Sequence, residues 1–396
     1  MVRSLVGGDV TLRHAGWLCV LSALALSMLG IYIIDVGASP RIPGIEVSAG
    51  DASLVPKQVL FLCVGVVAAV AAAVPHCRNV RLLSWPAMVV VIGLLVFLLL
   101  PGVPRWLVTP RNGARAWINL GPLDFQPGEV AKIAFVLVLA DYFRYRSNHR
   151  TLGGLLPPAL ITLVPVGLIT LEPDLGTALL FVPCLFAMLL AAGARLKHLA
   201  AIILIGALAG PLAYPLLKQH QQQRIVGLIN MVQGNPEGSD DINYQSLTAV
   251  RLAGAGGLTG LSDAKSRAVV HFNRLPERHN DMIFAVIVNR FGLAGGVGVL
   301  ALYGVWMAGA LLTAASSKDP FGRLIVVGFA VIIATQMYIN IGMNLALLPI
   351  IGLTLPFVSY GGSSMLTVWV MTGLVFGVGM RPPARLARPT FEFGDE

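Results

Sequence analysis

The stretch LLPPALITLVPVGLITL (155–171), EPD (172–174), LGTALLFVPCLFAMLLAA (175–192) decides the fold class of this chain. Neither apolar run contains a charged residue, and both are close to the ~17–25 residues an α-helix needs to cross a hydrocarbon core. Only Glu172, Pro173 and Asp174 stand between them, so the two helices reverse direction through a tight polar turn. Water cannot be the solvent of such a pair. In lipid, a helix is favoured because all its backbone groups bond within the segment.

The same pattern recurs outward in both directions. Apolar runs extend from Ala15 to Ile34, Val59 to Val74, Leu82 to Leu100 and Val130 to Phe143. Others extend from Leu199 to Leu217, Met282 to Leu312, Leu324 to Ile341 and Met365 to Val378. The first suits a spanning helix better than the short core of a signal peptide. Of 396 residues, 56% are hydrophobic and 12% charged, against roughly 25% charged in a soluble domain. The expectation is an all-α integral membrane protein, residues 1–396 forming one polytopic domain with about ten transmembrane helices.

Short loops orient it. Arg78 and Arg81, then Arg144, Arg146 and Arg150, then Arg195 and Lys197, then Lys318 and Arg323, fall on one side if the spans alternate. A tail at 381–396, with Arg381, Arg385 and Arg388, joins them. The positive-inside rule makes that side, and both termini, cytoplasmic. The other side carries two long segments, Gly102 to Gln126 and a large extracytoplasmic loop at 218–280 between helices 7 and 8. They hold Arg105, Arg111, Arg115, Lys218, Arg224, Arg251, Lys265, Arg267, Arg274 and Arg278. Long loops are exempt from the charge rule, so this outer basic surface calls for another reason. The net charge of +9 comes without a Lys/Arg block interleaved with aromatics. That argues against nucleic acid and for membrane lipid or an anionic lipid-linked substrate. Cys19, Cys63, Cys77 and Cys184 form no CxxC pair and read as packing residues.

Polar groups inside apolar segments are costly and tend to be partnered or functional. Glu129 and Lys132, at i, i+3, can pair on one helix face, either structurally or as part of a site. Glu172 and Asp174 lie at the outer ends of two helices, where Asp174 could equally cap the second. Asp281 opens another helix on the outer side, where the helix dipole alone would favour an acid. Asn289 and Arg290 follow two turns deeper, Arg290 reading as paired or snorkelling. The stretch Ile341 to Ser364, broken by Pro349 and Pro356, reads as re-entrant or cavity-lining, with a plain outer loop as the alternative.

Six stretches in order carry a resemblance: NGARAWINLG (112–121), FQPGEVAK (125–132), EPDLGT (172–177), NYQS (243–246), LPERHNDMIFA (275–285) and LPFVSYGGSS (355–364). Together they resemble the SEDS family (shape, elongation, division and sporulation), the RodA/FtsW type of bacterial cell-wall polymerase. The resemblance implies a ten-helix peptidoglycan glycosyltransferase of the bacterial cytoplasmic membrane. Such an enzyme polymerises lipid II, the undecaprenyl-pyrophosphate-linked disaccharide pentapeptide, at the outer face of that membrane. It also implies a class B penicillin-binding protein as partner, and an essential carboxylate at the position of Asp281. Two departures stand out. Asn280 and Met282 flank the acid where the family usually reads HTDFIFA, and Asn289-Arg290 replaces a Glu-Glu pair.

On that reading a sugar 4-hydroxyl attacks an anomeric carbon bearing a lipid pyrophosphate, and Asp281 is the catalytic base. Arg115, Lys132 and the basic loop are candidates for the leaving pyrophosphate. Glu129 and Asp174 would orient Lys132 and the neighbouring loops. Gln245, Ser246, Glu277 and His279, in the matching stretches, complete the substrate-binding candidates. No metal-ligand spacing is present and no cofactor is required, although a divalent cation at Asp281 or Asp174 is compatible. Two other functions fit the same residues: a flippase for lipid II, and an inactive scaffold for a penicillin-binding protein, motivated by the lost Glu-Glu pair.

Overall fold

The structure, a computed structural model, describes residues 15–39, 41, 48–104, 106–108, 114–121, 124–146, 148–216, 222, 226 and 240–381. Each of the apolar runs read from the sequence falls on a helix: α1 Ala15–Ala38, α2 Leu54–Ala73, α3 Ser84–Leu99, α4 Pro127–Phe143, α5 Leu156–Leu171, α6 Leu175–Ala191 and α7 Leu196–Ala213. Between α7 and the next apolar helix lie α8 Asp240–Gly254 and α9 Asp263–Phe272; then come α10 Ile283–Ser316, α11 Pro320–Asn344 and α12 Gly362–Met380. Six of the described helices are long and apolar enough to cross a membrane, while α3 and α6 are apolar but shorter. Among the described residues the one sheet is a two-residue antiparallel pair, Ile118 opposite Phe125 and Asn119 opposite Asp124. The protein is therefore an all-α, multi-pass membrane protein, and residues such as Val67, Val70, Val89 and Leu163 expose their side chains on its lipid-facing flank.

Close helix approach uses small residues, as expected where lipid supplies no hydrophobic drive between helices. Gly373 and Gly377, at i and i+4 on α12, lie against the backbone of Ala69 and Ala73 on α2. A Cβ at Gly373 would meet the Ala69 carbonyl. Gly373→Leu is therefore expected to lower stability by about 1–3 kcal/mol, read as a reduced midpoint in detergent thermal unfolding.

The charged ends sort as the loop arginines predict. Arg381 donates to the carbonyls of Ala73 (3.0 Å), Val74 (3.3 Å) and Pro75, while Arg81 lies 3.9 Å from Asp141. The acids Asp35, Asp51 and Asp174 and the 263–281 region gather at the other end, through bonds described below.

The apolar run from Met282 is not one continuous helix. At Gly292 the backbone turns to φ 69°, splitting α10. The glycine-rich hook 256–261 fills the break. Leu293 and Ala294 donate their N–H groups to the Gly257 and Leu258 carbonyls (2.9 and 3.2 Å), and Leu261 donates to the Asn289 carbonyl (3.1 Å). A side chain at Gly256 or Gly260 would collide with the α10 backbone, which explains the glycines there.

Candidate active site at the outer end of the bundle

Asp281 lies in the turn immediately before α10, half-buried. It does not cap the helix: Met282 is the N-cap residue, and the Asp281 carbonyl instead accepts from the side-chain amides of Asn340 (2.9 Å) and Asn344 (2.8 Å). Its carboxyl is pushed up to about 7, first by burial, then by the nearby carboxylates of Glu277 and Asp174. A carboxylate tuned close to neutral pH suits general-base work.

Three segments wall this site. The first is 275–281 itself. Within it the exposed Glu277 adopts φ 50° and accepts from Asn280 (2.6 Å), and Arg278 reaches Asp51 (3.3 Å). His279 is half-buried beside the Tyr360 ring, burial holding its imidazole below the usual value, and its Nδ1 has no hydrogen-bond partner among the described residues.

The second wall is the irregular segment that follows α11. As the prolines suggested, it is buried without being helical: Leu355, Phe357, Val358 and Ser359 are 1%, 2%, 0% and 4% exposed. Irregular backbone survives at that depth because its polar groups are met. Ser359 donates to the Asn280 carbonyl (2.6 Å) and accepts from Leu355 N–H (2.8 Å). Tyr360 N–H reaches the His279 carbonyl (2.8 Å), Gln58 donates to the Ser359 carbonyl (3.0 Å), and Tyr303 donates to that of Pro356.

The third is the α5–α6 turn with the start of α4. Asp174 caps α6, accepting from Thr177 N–H (3.0 Å) and Oγ1 (2.9 Å), and it also accepts from Gln126 Nε2 (2.9 Å). The capping reading of Asp174 is thus what the structure shows, and its charge also acts on Asp281. Glu172 is 2% exposed with its carboxyl pushed up to about 8, by burial first and then by Asp174.

The remaining candidates divide. Arg115 is half-buried and has no ion-pair partner among the described residues. Lys132 differs. It is 1% exposed, with Nζ 2.8 Å from Glu129 and 3.1 Å from Gln336 Oε1. Its charge is met inside the protein, by Glu129 and Gln336. Ser246 is buried and Gln245 half-buried on α8, which packs against α10. Arg105, Arg111, Lys218, Arg224 and the tail from 382 lie outside the described residues. Among the described residues no three His, Cys, Asp or Glu side chains come together as metal ligands.

The pair Asn289-Arg290 is met by α8, α9, α1 and the 256–261 hook. Asn289 donates to the Leu252 carbonyl (2.8 Å) and accepts from Ser266 (2.8 Å). Arg290 donates to Tyr32 (2.8 Å) and the Leu261 carbonyl (2.8 Å) and lies 3.7 Å from Asp263. The charge at 290 is thus neutralised locally and is not among the charges that shift Asp281. Arg267, 1% exposed, ties the same Asp263 (2.8 Å) to Asp35 (2.6 Å) at the end of α1.

Sequence reading passed over Gln336, Asn340 and Asn344. Their signal was available: three amides at i, i+4, i+8 on one face of an otherwise apolar helix.

The fold and site define a polytopic membrane protein with a tuned carboxylate at one membrane face. The family described as cell cycle protein, FtsW/RodA/SpoVE, matches residues 16–381, and the chain belongs to that family. It is a multi-pass protein of the bacterial cytoplasmic membrane. It is 35% identical over 329 residues to stage V sporulation protein E of Bacillus subtilis, covering 81% of this chain and 86% of that one. It is 34% identical over 386 residues to a probable peptidoglycan glycosyltransferase FtsW of Thioalkalivibrio sulfidiphilus, covering 93% and 92%. A solved chain from a study of structural coordination of polymerization and crosslinking by a peptidoglycan synthase complex superposes with TM-score 0.76 at 30% identity, over 92% of this chain and 97% of that one. The rod shape determining protein RodA of Thermus thermophilus gives TM-score 0.64 at 29% identity, over 95% and 98%.

Proposed function

We propose that this protein is a peptidoglycan glycosyltransferase that polymerises lipid II into glycan strands at the outer face of the cytoplasmic membrane. The observation that carries this is Asp281: half-buried, held by its own backbone, and tuned to about 7 beside Glu277 and Asp174. The 4-hydroxyl oxygen of one sugar attacks the anomeric carbon of the other, and its proton passes to the Asp281 carboxylate. The anomeric C–O bond breaks with inversion, its electron pair leaving on the lipid pyrophosphate. That leaving group departs as an anion, so a cation serves where a general acid would otherwise be needed. Arg115, half-buried and unpaired among the described residues, is suited to it. A class B penicillin-binding protein is the proposed partner, supported by the likeness to a chain of a peptidoglycan synthase complex.

The test is purified protein in detergent with labelled lipid II, products resolved on a gel, with and without a divalent chelator. Glycan polymer in both arms is expected. Polymer only without chelator would move the counter-charge from Arg115 to a divalent cation. Translocation of lipid II in liposomes without any polymer would replace the enzyme by a flippase.

A further inference from the structure

Gln336, Asn340 and Asn344 are 1%, 0% and 0% exposed on α11. A buried amide left without partners is costly, so three in one apolar helix call for a common purpose. Their bonds converge on the walls of the Asp281 site. Asn344 Nδ2 donates to the Asp281 carbonyl (2.8 Å), and its Oδ1 accepts the Ala285 N–H (3.0 Å), spanning the turn that carries the carboxylate. Asn340 Nδ2 reaches the same carbonyl (2.9 Å) and, across the site, that of Leu353 (2.6 Å). Gln336 Nε2 holds Thr354 at its carbonyl (3.0 Å) and hydroxyl (3.1 Å), while its Oε1 accepts from Lys132 (3.1 Å). Thr354 in turn is 3.0 Å from Ser364 at the start of α12.

At the start of α10 a single amide, that of Asn344, meets a free backbone group, the Ala285 N–H. Two amides on a single carbonyl, one of them also bonded to the opposite wall, do more: they fix the position of residue 281 relative to 353–354. Gly352, whose φ of 79° strains any other residue, brings the backbone of the second wall beside the carboxyl: a Cβ there would sit in ordinary contact with Asp281 Oδ2, at 3.6 Å.

We propose that Gln336, Asn340 and Asn344 are positioning residues, an amide ladder that aims the Asp281 carboxylate and links it through Gln336 to the buried Glu129–Lys132 pair. The proposal rests on the reading of Asp281 as the base. The informative substitution is Asn344→Asp, which keeps the acceptor for Ala285 N–H and removes the donations to the Asp281 carbonyl (2.8 Å) and the Asn340 carbonyl (2.9 Å); Asn340→Ser is the second variant, in case a buried acid at 344 prevents folding. For each, kcat and KM for lipid II polymerisation are measured alongside hydrogen exchange of the peptide spanning 281–285. A misaimed base is expected to lower kcat about 100-fold, with KM unchanged and exchange raised at 281–285 alone. Unchanged kcat per folded molecule, with exchange at 281–285 also unchanged, would overturn the ladder. If the wild type makes no polymer, the functional reading fails by itself, and the exchange at 281–285 still decides whether the amides hold residue 281.

Discussion

Asp281→Asn is expected to reduce the polymerisation rate by about 10²–10⁴-fold, the range a positioned general base contributes. The substitution is close to isosteric, and the bonds that hold residue 281 in place go to its backbone carbonyl, so the fold should survive. Loss of the negative charge also relieves Glu277 and Asp174, which repel it in the native site. Thermal unfolding in detergent should therefore show the variant at least as stable as the wild type while its gel shows little glycan. Binding of lipid II, measured separately, should change little. Undiminished polymer from this variant would remove Asp281 from the chemistry and leave the site a scaffold.

The second large effect falls on stability. Lys132→Met leaves the Glu129 carboxylate 4% exposed without its 2.8 Å partner. Breaking a buried pair from one side costs about 3–5 kcal/mol, and the expected readout is a sharply lowered unfolding midpoint and poor recovery from the membrane. The double variant Glu129→Leu with Lys132→Met should recover much of the loss, because a buried pair replaced on both sides by apolar groups is often neutral. Equal instability of the single and double variants would instead show that the Gln336 bond, not the charge, is what Lys132 supplies.

Much of this was legible in the sequence, and the reason is the solvent. Lipid demands long apolar helices, so the apolar helices between Ala15 and Val378 could be read from hydropathy, though six of those described are long and apolar enough to cross. Local geometry was legible too: Glu129 and Lys132 are one turn apart, and Asp174 stands where a helix N-cap belongs, so both pairings needed only spacing. Asp281 could be placed at the site because its stretch, LPERHNDMIFA, follows the resemblance. What escaped depends on contacts between distant segments. The break at Gly292 exists because the hook 256–261 supplies carbonyls to Leu293 and Ala294, and nothing within Met282 to Leu312 marks it among several glycines. Arg290 reads as paired or snorkelling, and it is paired, but its partners Asp263 and Tyr32 come from distant segments that the sequence does not name. Lys132 reads either as the structural partner of Glu129 or as a substrate cation, and its burial with Glu129 is visible only in the tertiary structure. The amide stripe on α11 was visible as a period, but its partners at Asp281, Leu353 and Thr354 come from loops whose path the sequence does not reveal.

The central claim is that Asp281 accepts the proton from the attacking hydroxyl, and the pH dependence of the initial polymerisation rate tests it most directly. A carboxyl raised to about 7 is protonated and idle below that pH and ionised above it. The rate should therefore climb with pH through a midpoint near 7, falling about tenfold per unit on the acid side. A rate that stays flat down to the ordinary carboxylate range, near ~4, would contradict the assignment.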